Sequence, residues 1–344
     1  MKPKAIDEFQ GNQYQRLLEQ IAESYNQGRA QAVQAVNSQL LRTYWQIGQY
    51  IVEFEQEGDP RPQYGKQLLQ RLSKDLKSRL GRGFSQSNLS RSRQFYLYYP
   101  NYATLSHNLS WSHLVELLKI EDALERSFYE QQTVAEKWSV RELRRQKEAA
   151  LFLRLAAGKN KDEVLQLARQ GQIVAQPEDI LRDPYVFEFL KIPEPYLPSE
   201  RQLETALCDH LQQFLLELGK GFAFIGRQYR LTINNTHYRV DLVFYHRILK
   251  CFVLIDLKVN EVQHQDIGQM NLYMGYFANE ENMEDDNPPI GIILTRSKDE
   301  LLVEYATYQM NSQLFVQKYQ LYLPNEEELR RELSLVWRRE KEDE

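Results

Sequence analysis

The most constraining feature of this sequence is a change of pattern in its second half. Between residues 221 and 259, three segments rich in aromatic and β-branched residues have the composition of strands: GFAFIGRQYRLTI, YRVDLVFYH and KCFVLIDLKV. A helical pattern precedes them at 199–219, another follows at about 264–278, and a short apolar segment, IGIIL, follows at 290–294. The order helix, three strands, helix, strand predicts an α/β core.

The first half of the chain has a helical pattern instead. From Tyr14 to about Ala157, apolar residues recur at spacings of three and four, as in LLRTYWQIGQYIVEFEQ at 40–56. Residues 158–198 contain five prolines, which disfavour continuous helix and favour a linker with some short structure. We therefore predict a two-domain α+β chain. It has an all-helical domain at 1–157, a linker at 158–198, the α/β domain at 199–320 and an acidic helix or tail at 321–344.

Composition argues against several classes of protein. No apolar run approaches the ~20 residues of a membrane span, and the N-terminus lacks the apolar segment of a signal peptide. A cytoplasmic protein without a membrane partner is expected. Cys208 and Cys251 are too few for a disulfide framework or a four-cysteine zinc site, and the six histidines show no metal-ligand spacing. Zinc is therefore not expected.

Positive charge is concentrated at 61–100. The whole chain has a net charge of −5, but this segment holds nine Lys or Arg residues against one acid, Asp75. Because charges beyond roughly 8–10 Å are screened, such a block can bind phosphates whatever the total. Its outline is helix, glycine-containing turn, helix, as in a helix-turn-helix, with the second helix beginning near Ser85 or Ser87. The alternative is an ordinary solvated basic face. The candidate DNA-contacting residues are Arg82, Ser85, Asn88, Arg91 and Arg93.

Two acids and a lysine in the strand segments carry the candidate chemistry. If the last two strands form a hairpin centred between Ile248 and Leu249, Asp241 and Asp256 face each other about 5 Å apart. Lys258 shares the face of Asp256, because side chains alternate along a strand. Neighbouring carboxylates repel, whereas Mg²⁺ or Mn²⁺ would hold them together and polarise a phosphate. Lys258 could then orient the attacking water or stabilise the developing charge, which predicts phosphodiester hydrolysis.

A structural salt bridge among the same three residues is the alternative. A D-x-K tripeptide is common by chance, and the chain contains a second copy, Asp75-Leu76-Lys77, in a charged helical segment. The copy at Asp256 differs because it follows the apolar strand CFVLI, where an unpartnered charge is costly to bury.

These segments resemble the PD-(D/E)XK nuclease superfamily and, more narrowly, the YhcG-like bacterial nucleases. The similar segments are FLLELGKGFAFIGRQ, DLVFYHRILKCFVLIDLK and GQMNLYM, with YWQIGQYI, GFSQSNL, LSWSHL and SVRELRRQ in the helical half. The resemblance implies a restriction-endonuclease-like core in which Asp241 and Asp256 bind Mg²⁺ or Mn²⁺ and Lys258 assists attack. It also implies that Glu204, on the helix before the strands, completes the acidic site.

The resemblance also concerns the helix that follows the strands. Gln269 and Tyr273 are four residues apart and share one face, which the resemblance places beside the active site. Ordinary helix packing is the alternative for both. Two departures from the family pattern are visible: Val240 stands where the superfamily has proline, and Asp256 stands where many members have glutamate. Neither departure removes a required charge.

The function that the resemblance implies is a metal-dependent DNA endonuclease in genome defence or mobile-element processing. One alternative is a DNA-binding or assembly protein that keeps the fold without turnover. A second is a scaffold, in which the long helices mediate assembly into a homo-oligomer and the acidic tail recruits partners. The two carboxylates and the lysine argue against the first alternative, and a metal-dependence assay would discriminate all three functions.

Overall fold

The computed structural model describes residues 4–57, 62–105, 109–157, 159–193, 196–307 and 313–331. The chain divides into two compact units: unit 1 is Met1–Arg126 with Thr133–Leu143, and unit 2 is Ser127–Gln132 with Arg144–Glu344. No helix in the described part of the chain is both long and apolar enough to cross a membrane.

The described part of unit 1 is helical. Its elements are α1 (Lys4–Glu57), α2 (Pro62–Leu80), α3 (Gln86–Tyr98), a 3₁₀ turn (Tyr102–Thr104) and α4 (Trp111–Leu117). The residues of α5 (Ala123–Ala135) and α6 (Val140–Glu148) are divided between the two units. The predicted all-helical N-terminal region is thus confirmed for these residues.

A close approach between α1 and α3 organises unit 1. A Cβ atom at Gly48 would collide with the backbone carbonyl of Ser92, so only glycine lets the two helices come this near. Beside this point the Trp45 indole Nε1 donates a hydrogen bond to the carbonyl of Tyr99 at 2.7 Å, and the ring of Phe95 is wholly buried. The aromatic residues of α3 therefore belong mainly to the core of unit 1.

Unit 2 contains a six-stranded mixed sheet with helices on both faces. Its helices are α7 (Leu151–Ala156), α8 (Lys161–Gln170), α9 (Glu200–Asp209), α10 (Leu211–Leu218), α11 (His264–Tyr276) and α12 (Glu300–Ala306). Its strands are β1 (Tyr185–Val186), β2 (Phe222–Ile233), β3 (Thr236–His246), β4 (Cys251–Lys258), β5 (Ile290–Thr295) and β6 (Leu314–Gln320).

The sheet has the order β1-β6-β5-β4-β3-β2. Neighbouring strands from β2 to β4 are antiparallel, and those from β4 through β5 and β6 to β1 are parallel. Leu203, Leu207 and Phe214 of α9 and α10 pack in the core on one face, and Ile267 and Met270 of α11 pack in the core on the other. This is the predicted α/β core, extended by two strands.

Both additional strands involve residues outside the predicted strand pattern. The segment 158–198, expected to be a linker with short structure, contains α8, two 3₁₀ turns and β1. Tyr185 of β1 is wholly buried and pairs in parallel with Tyr319 of β6. The predicted acidic C-terminal segment is helical at 326–331, and residues 332–344 lie outside the described part of the chain.

The last part of the predicted helical region, up to about Ala157, is interrupted. Ala150 adopts a left-handed conformation with φ of 50°, which separates α6 from α7. The buried hydroxyl of Tyr129 donates a hydrogen bond to the carbonyl of Gln146 and accepts one from the backbone N–H of Phe152. These two bonds connect the end of α6 to the start of α7, where backbone groups lack helical partners.

Arginine residues from the segment before α9 surround Glu217 of α10. Arg154 lies 2.7 Å, Arg145 3.1 Å and Arg182 3.4 Å from the Glu217 carboxylate, whose side chain is wholly buried. The same carboxylate accepts a hydrogen bond from the backbone N–H of Val186 in β1 at 3.0 Å. This buried cluster connects 144–190 to the body of unit 2.

Candidate active site

The hairpin of β3 and β4 has the predicted register. The two strands pair from His246 opposite Cys251 to Leu242 opposite Ile255, so the turn is centred between Ile248 and Leu249. Asp241 and Asp256 are the next residues on their strands. The strict alternation of side chains fails here, because Val240 and Leu242, two residues apart, are buried in the cores on opposite faces of the sheet.

The Asp241 carboxylate is directed toward β4. Its Oδ2 accepts a hydrogen bond from the backbone N–H of Leu257 at 2.9 Å. Leu257 lies between Asp256 and Lys258, so this bond brings Asp241 next to both predicted active-site residues of β4. The predicted meeting of the two aspartates is therefore observed, with an anchor that the register argument did not include.

Asp256 is a buried acid with unfavourable surroundings for a negative charge. Only 5% of the residue is exposed. Burial is the largest cause and repulsion from Asp241 the second, and together they raise the pKa of Asp256 to about 7, although the charge of Lys258 opposes the rise. Without a cation, the pair is thus poorly tolerated in its doubly ionised form.

Glu204 of α9 is held to the same cluster by a residue that the sequence analysis did not single out. The amide Nε2 of Gln228 donates hydrogen bonds to Glu204 Oε2 at 2.7 Å and to Asp241 Oδ1 at 2.9 Å. Burial raises the pKa of Glu204, Gln228 lowers it, and Asp241 raises it further. Gln228 therefore fixes the separation of two acids that would otherwise repel.

The position of Gln228 depends on irregular backbone in β2. The register of β2 against β3 shifts between Phe224 and Gly226, and Gln228 has a φ of 49°. Residues other than glycine rarely adopt positive φ, and such strain is frequent at functional sites. The alternation of apolar and polar residues in β2 gives no indication of this bulge. The one signal in the sequence was a polar glutamine in the strand next to the one that carries Asp241.

Lys258 is paired with Asp256. Its Nζ lies 2.8 Å from Asp256 Oδ2 and 3.4 Å from Asp266 Oδ1 of α11. Burial alone would lower the pKa of Lys258, but the carboxylates of Asp256, Asp266 and Glu200 raise it above the usual range. Lys258 therefore remains a protonated ammonium group. This contact is compatible with both predictions, a structural salt bridge and an active-site lysine beside an acid.

Tyr273 and Gln269 of α11 differ in their surroundings. Tyr273 is 2% exposed, packs in the core between α11 and the sheet, and contacts the ring of Tyr238 at a centroid distance of 6.3 Å. Burial, and then the charge of Asp256, raise the pKa of Tyr273 to about 12. Gln269 is half-buried. Asp266, one turn before Gln269 and two turns before Tyr273, was not predicted as a site residue, although its carboxylate lies 3.4 Å from the Lys258 ammonium group.

The donor atoms suit a hard divalent cation. Among the described residues, no group of three or more His, Cys, Asp or Glu side chains is arranged to hold a metal. Mg²⁺ needs fewer, because it usually binds one or two carboxylates and keeps several waters or substrate phosphates as further ligands. The mutually repelling carboxylates of half-buried Asp241 and buried Asp256 fit that requirement.

The predicted DNA-contacting residues lie around the turn between α2 and α3. Ser85 is the N-cap of α3, its hydroxyl accepting from the backbone N–H of Asn88, and the Asn88 amide donates to the carbonyl of Gly83. Arg93 is bound to Glu55 at 2.6 Å. Arg82 is exposed and Arg91 is half-buried. Arg61, at the start of the basic segment, lies outside the described residues.

Two segments of the chain match known families. Residues 178–334 match the YhcG PDDEXK nuclease domain, and residues 20–154 match the DUF1016 N-terminal domain. The chain is 38% identical over 352 aligned positions to a protein of Escherichia coli (strain K12) named "Putative nuclease YhcG", covering 93% of each chain. The residues described above all lie within the matched segments.

A solved structure is also similar to part of the chain. A crystal structure of a repair endonuclease from Pyrococcus abyssi matches 38% of this chain and 50% of its own, with 20% identity and a TM-score of 0.27. A TM-score this low supports no inference about function.

Proposed function

This chain belongs to the YhcG-like family of PD-(D/E)XK nucleases, and from that premise we propose that it cleaves DNA with a divalent metal ion held by Asp241 and Asp256. One observation carries the proposal: a buried acid, Asp256, lies beside a second acid and a protonated lysine at the end of the same hairpin. A structural ion pair would need only one of the two acids.

The proposed roles follow from the environment of each residue. When bound, Mg²⁺ or Mn²⁺ would polarise the scissile phosphate and favour ionisation of a coordinated water. Lys258, kept protonated by its carboxylate neighbours, donates hydrogen bonds to phosphoryl oxygens and offsets the charge that develops on them. It does not accept the proton of the attacking water.

Gln228 and Glu204 complete the proposed site. Gln228 is a positioning residue, because its amide orients the carboxylates of Glu204 and Asp241 without being able to ionise. Glu204 adds a third carboxylate on α9, available to a water in the outer coordination sphere of the cation. Tyr273 and Gln269 border the site, Tyr273 by limiting access of water to Asp256.

DNA is the proposed substrate because unit 1 contains a basic segment outside the proposed metal site. From 61 to 100 the sequence has nine basic residues and one acid, and DNA affinity comes largely from neutralised phosphates. Arg82 and Arg91 are the proposed phosphate contacts. Ser85 and Asn88 use their polar groups in capping α3, so their proposed contribution is to fix the orientation of that helix. A role in genome defence or mobile-element processing belongs to the same proposal and rests on the family resemblance.

The proposal is tested with labelled duplex, branched and single-stranded DNA and with RNA, each incubated with Mg²⁺, Mn²⁺ or chelator. We expect cleavage of DNA that requires the metal and is lost in Asp256→Asn. The matched control is Asp75→Asn, which changes the exposed acid of the other D-x-K sequence and should cleave like wild type. Cleavage that survives both chelator and Asp256→Asn would refute the assignment, and DNA binding without cleavage would favour the non-catalytic alternative.

A further inference from the structure

Residues 13–36 form a long exposed segment of α1. Every residue from 13 to 36 is solvent-exposed, and burial begins only at Leu41. A helix of this length rises about 36 Å. Isolated helices are marginal in water, and most of their stability in proteins comes from packing an apolar face. The exposure of this segment therefore indicates that another surface covers it.

The exposed segment has an apolar face, called the stripe below. Its members are four, three and four residues apart, so they lie on one side of the helix. They are Tyr14 (63% exposed), Leu18 (44%), Ile21 (58%) and Tyr25 (69%). The charged residues Arg16, Glu19 and Glu23 lie on the opposite side, and Arg29, four residues after Tyr25, lies beyond the C-terminal end of the stripe. This division is the pattern of an amphipathic helix that docks its apolar side in a groove.

The same unit contains such a groove. It has a volume of about 490 Å³ and lies between the C-terminal half of α1 and α2. Its lining residues are almost entirely apolar. They include Ile47, Tyr50 and Phe54 of α1 and Leu72, Leu76 and Leu80 of α2. Tyr50 and Phe54 are 64% and 50% exposed, so a docked helix would cover large apolar side chains on both sides.

The stripe cannot reach the groove of its own chain. Both belong to one continuous helix, Lys4–Glu57, in which Ile21 and Ile47 are about 39 Å apart along the axis. We propose that two copies of the chain pair antiparallel through α1, so that the stripe of each copy lies in the groove of the other.

The spacing of apolar residues supports this pairing. If two α1 helices cross at Gln34, positions equally distant from it on either side come together. Tyr14 then meets Phe54, Leu18 meets Tyr50 and Ile21 meets Ile47 of the other copy. An antiparallel arrangement about a two-fold axis makes each of these contacts twice, as in the isologous interfaces that dominate homodimers.

The amount of apolar surface is sufficient for a stable dimer. A Phe or Tyr side chain buries roughly 150–250 Å² when fully covered, so one that is 50–69% exposed leaves somewhat more than 100 Å² and a half-exposed Leu, Ile or Val somewhat less, about 100 Å² on average. The stripe, the centre of α1 and the groove present eight such side chains, among them Val36 and Leu40, each 43–69% exposed. This gives about 800 Å² per copy, which is the usual contribution of one partner to a specific interface.

Charge favours a protein partner over a membrane surface. From 13 to 36 the charged residues are Arg16, Glu19, Glu23 and Arg29, two of each sign. Helices that lie on anionic lipid normally carry an excess of Lys and Arg on the polar face. A second copy of the same chain needs no such excess.

The mass of the full chain in solution tests the proposal. Sedimentation velocity should give a dimer for wild type, and Ile21→Glu should raise the dissociation constant of the dimer at least 100-fold. The matched control is Gln20→Glu, which adds the same charge one residue away on the polar side and should remain dimeric. Monomeric wild type, or Ile21→Glu with unchanged dimerisation, would overturn the proposal.

Disulfide trapping tests the orientation independently. Leu18→Cys with Tyr50→Cys places thiols at positions that meet only between copies, because within one helix they are about 48 Å apart. Under mild oxidation the double variant should form a covalent dimer, and each single variant should not. Wild type provides the background from Cys208 and Cys251. Crosslinking of the single variants to the same extent would contradict the antiparallel register.

Discussion

Replacing Asp256 with asparagine should stabilise the metal-free protein while abolishing its activity. Asp256 is 5% exposed, and burial together with the Asp241 carboxylate raises its pKa from 3.8 to about 7. A difference of one pKa unit corresponds to 1.36 kcal/mol, so ionising Asp256 in the folded protein costs about 4 kcal/mol. Asparagine keeps the shape and removes the charge.

The sign of the effect depends on pH. Because the folded protein binds the Asp256 proton more tightly than the unfolded chain, wild-type stability falls as pH rises from about 4 to about 7. Below that window Asp256 is protonated in both states and does not reduce stability. The gain from Asp256→Asn should therefore approach 4 kcal/mol at pH 8 and nearly vanish at pH 4.

Urea unfolding in chelator at pH 4, 6 and 8 measures this gain. Asp75→Asn is the control, since it removes an exposed carboxylate from the other D-x-K sequence. Adding Mg²⁺ at pH 8 should stabilise wild type and leave Asp256→Asn unchanged. If Asp256→Asn is less stable than wild type at pH 8 in chelator, Asp256 is a structural ion-pair partner of Lys258 and the electrostatic argument is wrong.

Three further predictions concern other charged residues. Lys258→Ala should lower the cleavage rate roughly 10²–10³-fold with little change in DNA affinity, whereas Lys77→Ala should not change the rate in the same single-turnover assay. Arg91→Ala should reduce the slope of log binding constant against log salt concentration by about one, the value for one lost phosphate contact. Arg93→Ala should reduce this slope by less, because Arg93 is bound to Glu55. Titrations at several salt concentrations would refute this if both slopes are unchanged. Burial alone would raise the pKa of Glu217, but its arginine neighbours lower it to about 2, so its contribution to stability is present above pH 4.5 and lost as pH falls toward 2. Glu217→Gln should lower the unfolding free energy by about 3–5 kcal/mol at pH 7, and a loss below 1 kcal/mol would contradict the role of the cluster.

The hairpin of β3 and β4 could be predicted from sequence because its geometry is local. Four residues separate His246 from Cys251, and that turn fixes the register of every pair up to Leu242 and Ile255. This register makes Asp241 and Asp256 the next pair, and the hydrogen bond from the Leu257 N–H then holds the Asp241 carboxylate against β4. Gln228 could not be predicted in the same way, because it depends on a register shift and a positive φ in β2, which alternation does not encode.

The limits of the nuclease domain were harder to predict because they depend on distant contacts. β1 is only two residues long and has no strand pattern of its own, yet it pairs with β6. Arg145, Arg154 and Arg182 also precede the predicted start of the domain, although all three surround Glu217. A fragment that begins at the predicted start of the domain, residue 199, would leave the buried Glu217 carboxylate without its three arginine partners. A fragment that begins at Arg144 keeps them and is the better choice for isolating the nuclease domain.

The pairing of β1 with β6 has a consequence for synthesis of the protein. β1 is the first strand of the sheet to leave the ribosome, and β6 is the last. The hairpins of β2, β3 and β4 need only nearby residues and can form early, whereas parallel pairing across the chain is slow and must wait for residue 314 onward. An unfinished chain therefore exposes the edge of β5, a surface open to aggregation and proteolysis. The hairpin that carries Asp241 and Asp256 can form before β6 exists, but the sheet around it is completed only once residues 314–320 have been synthesised.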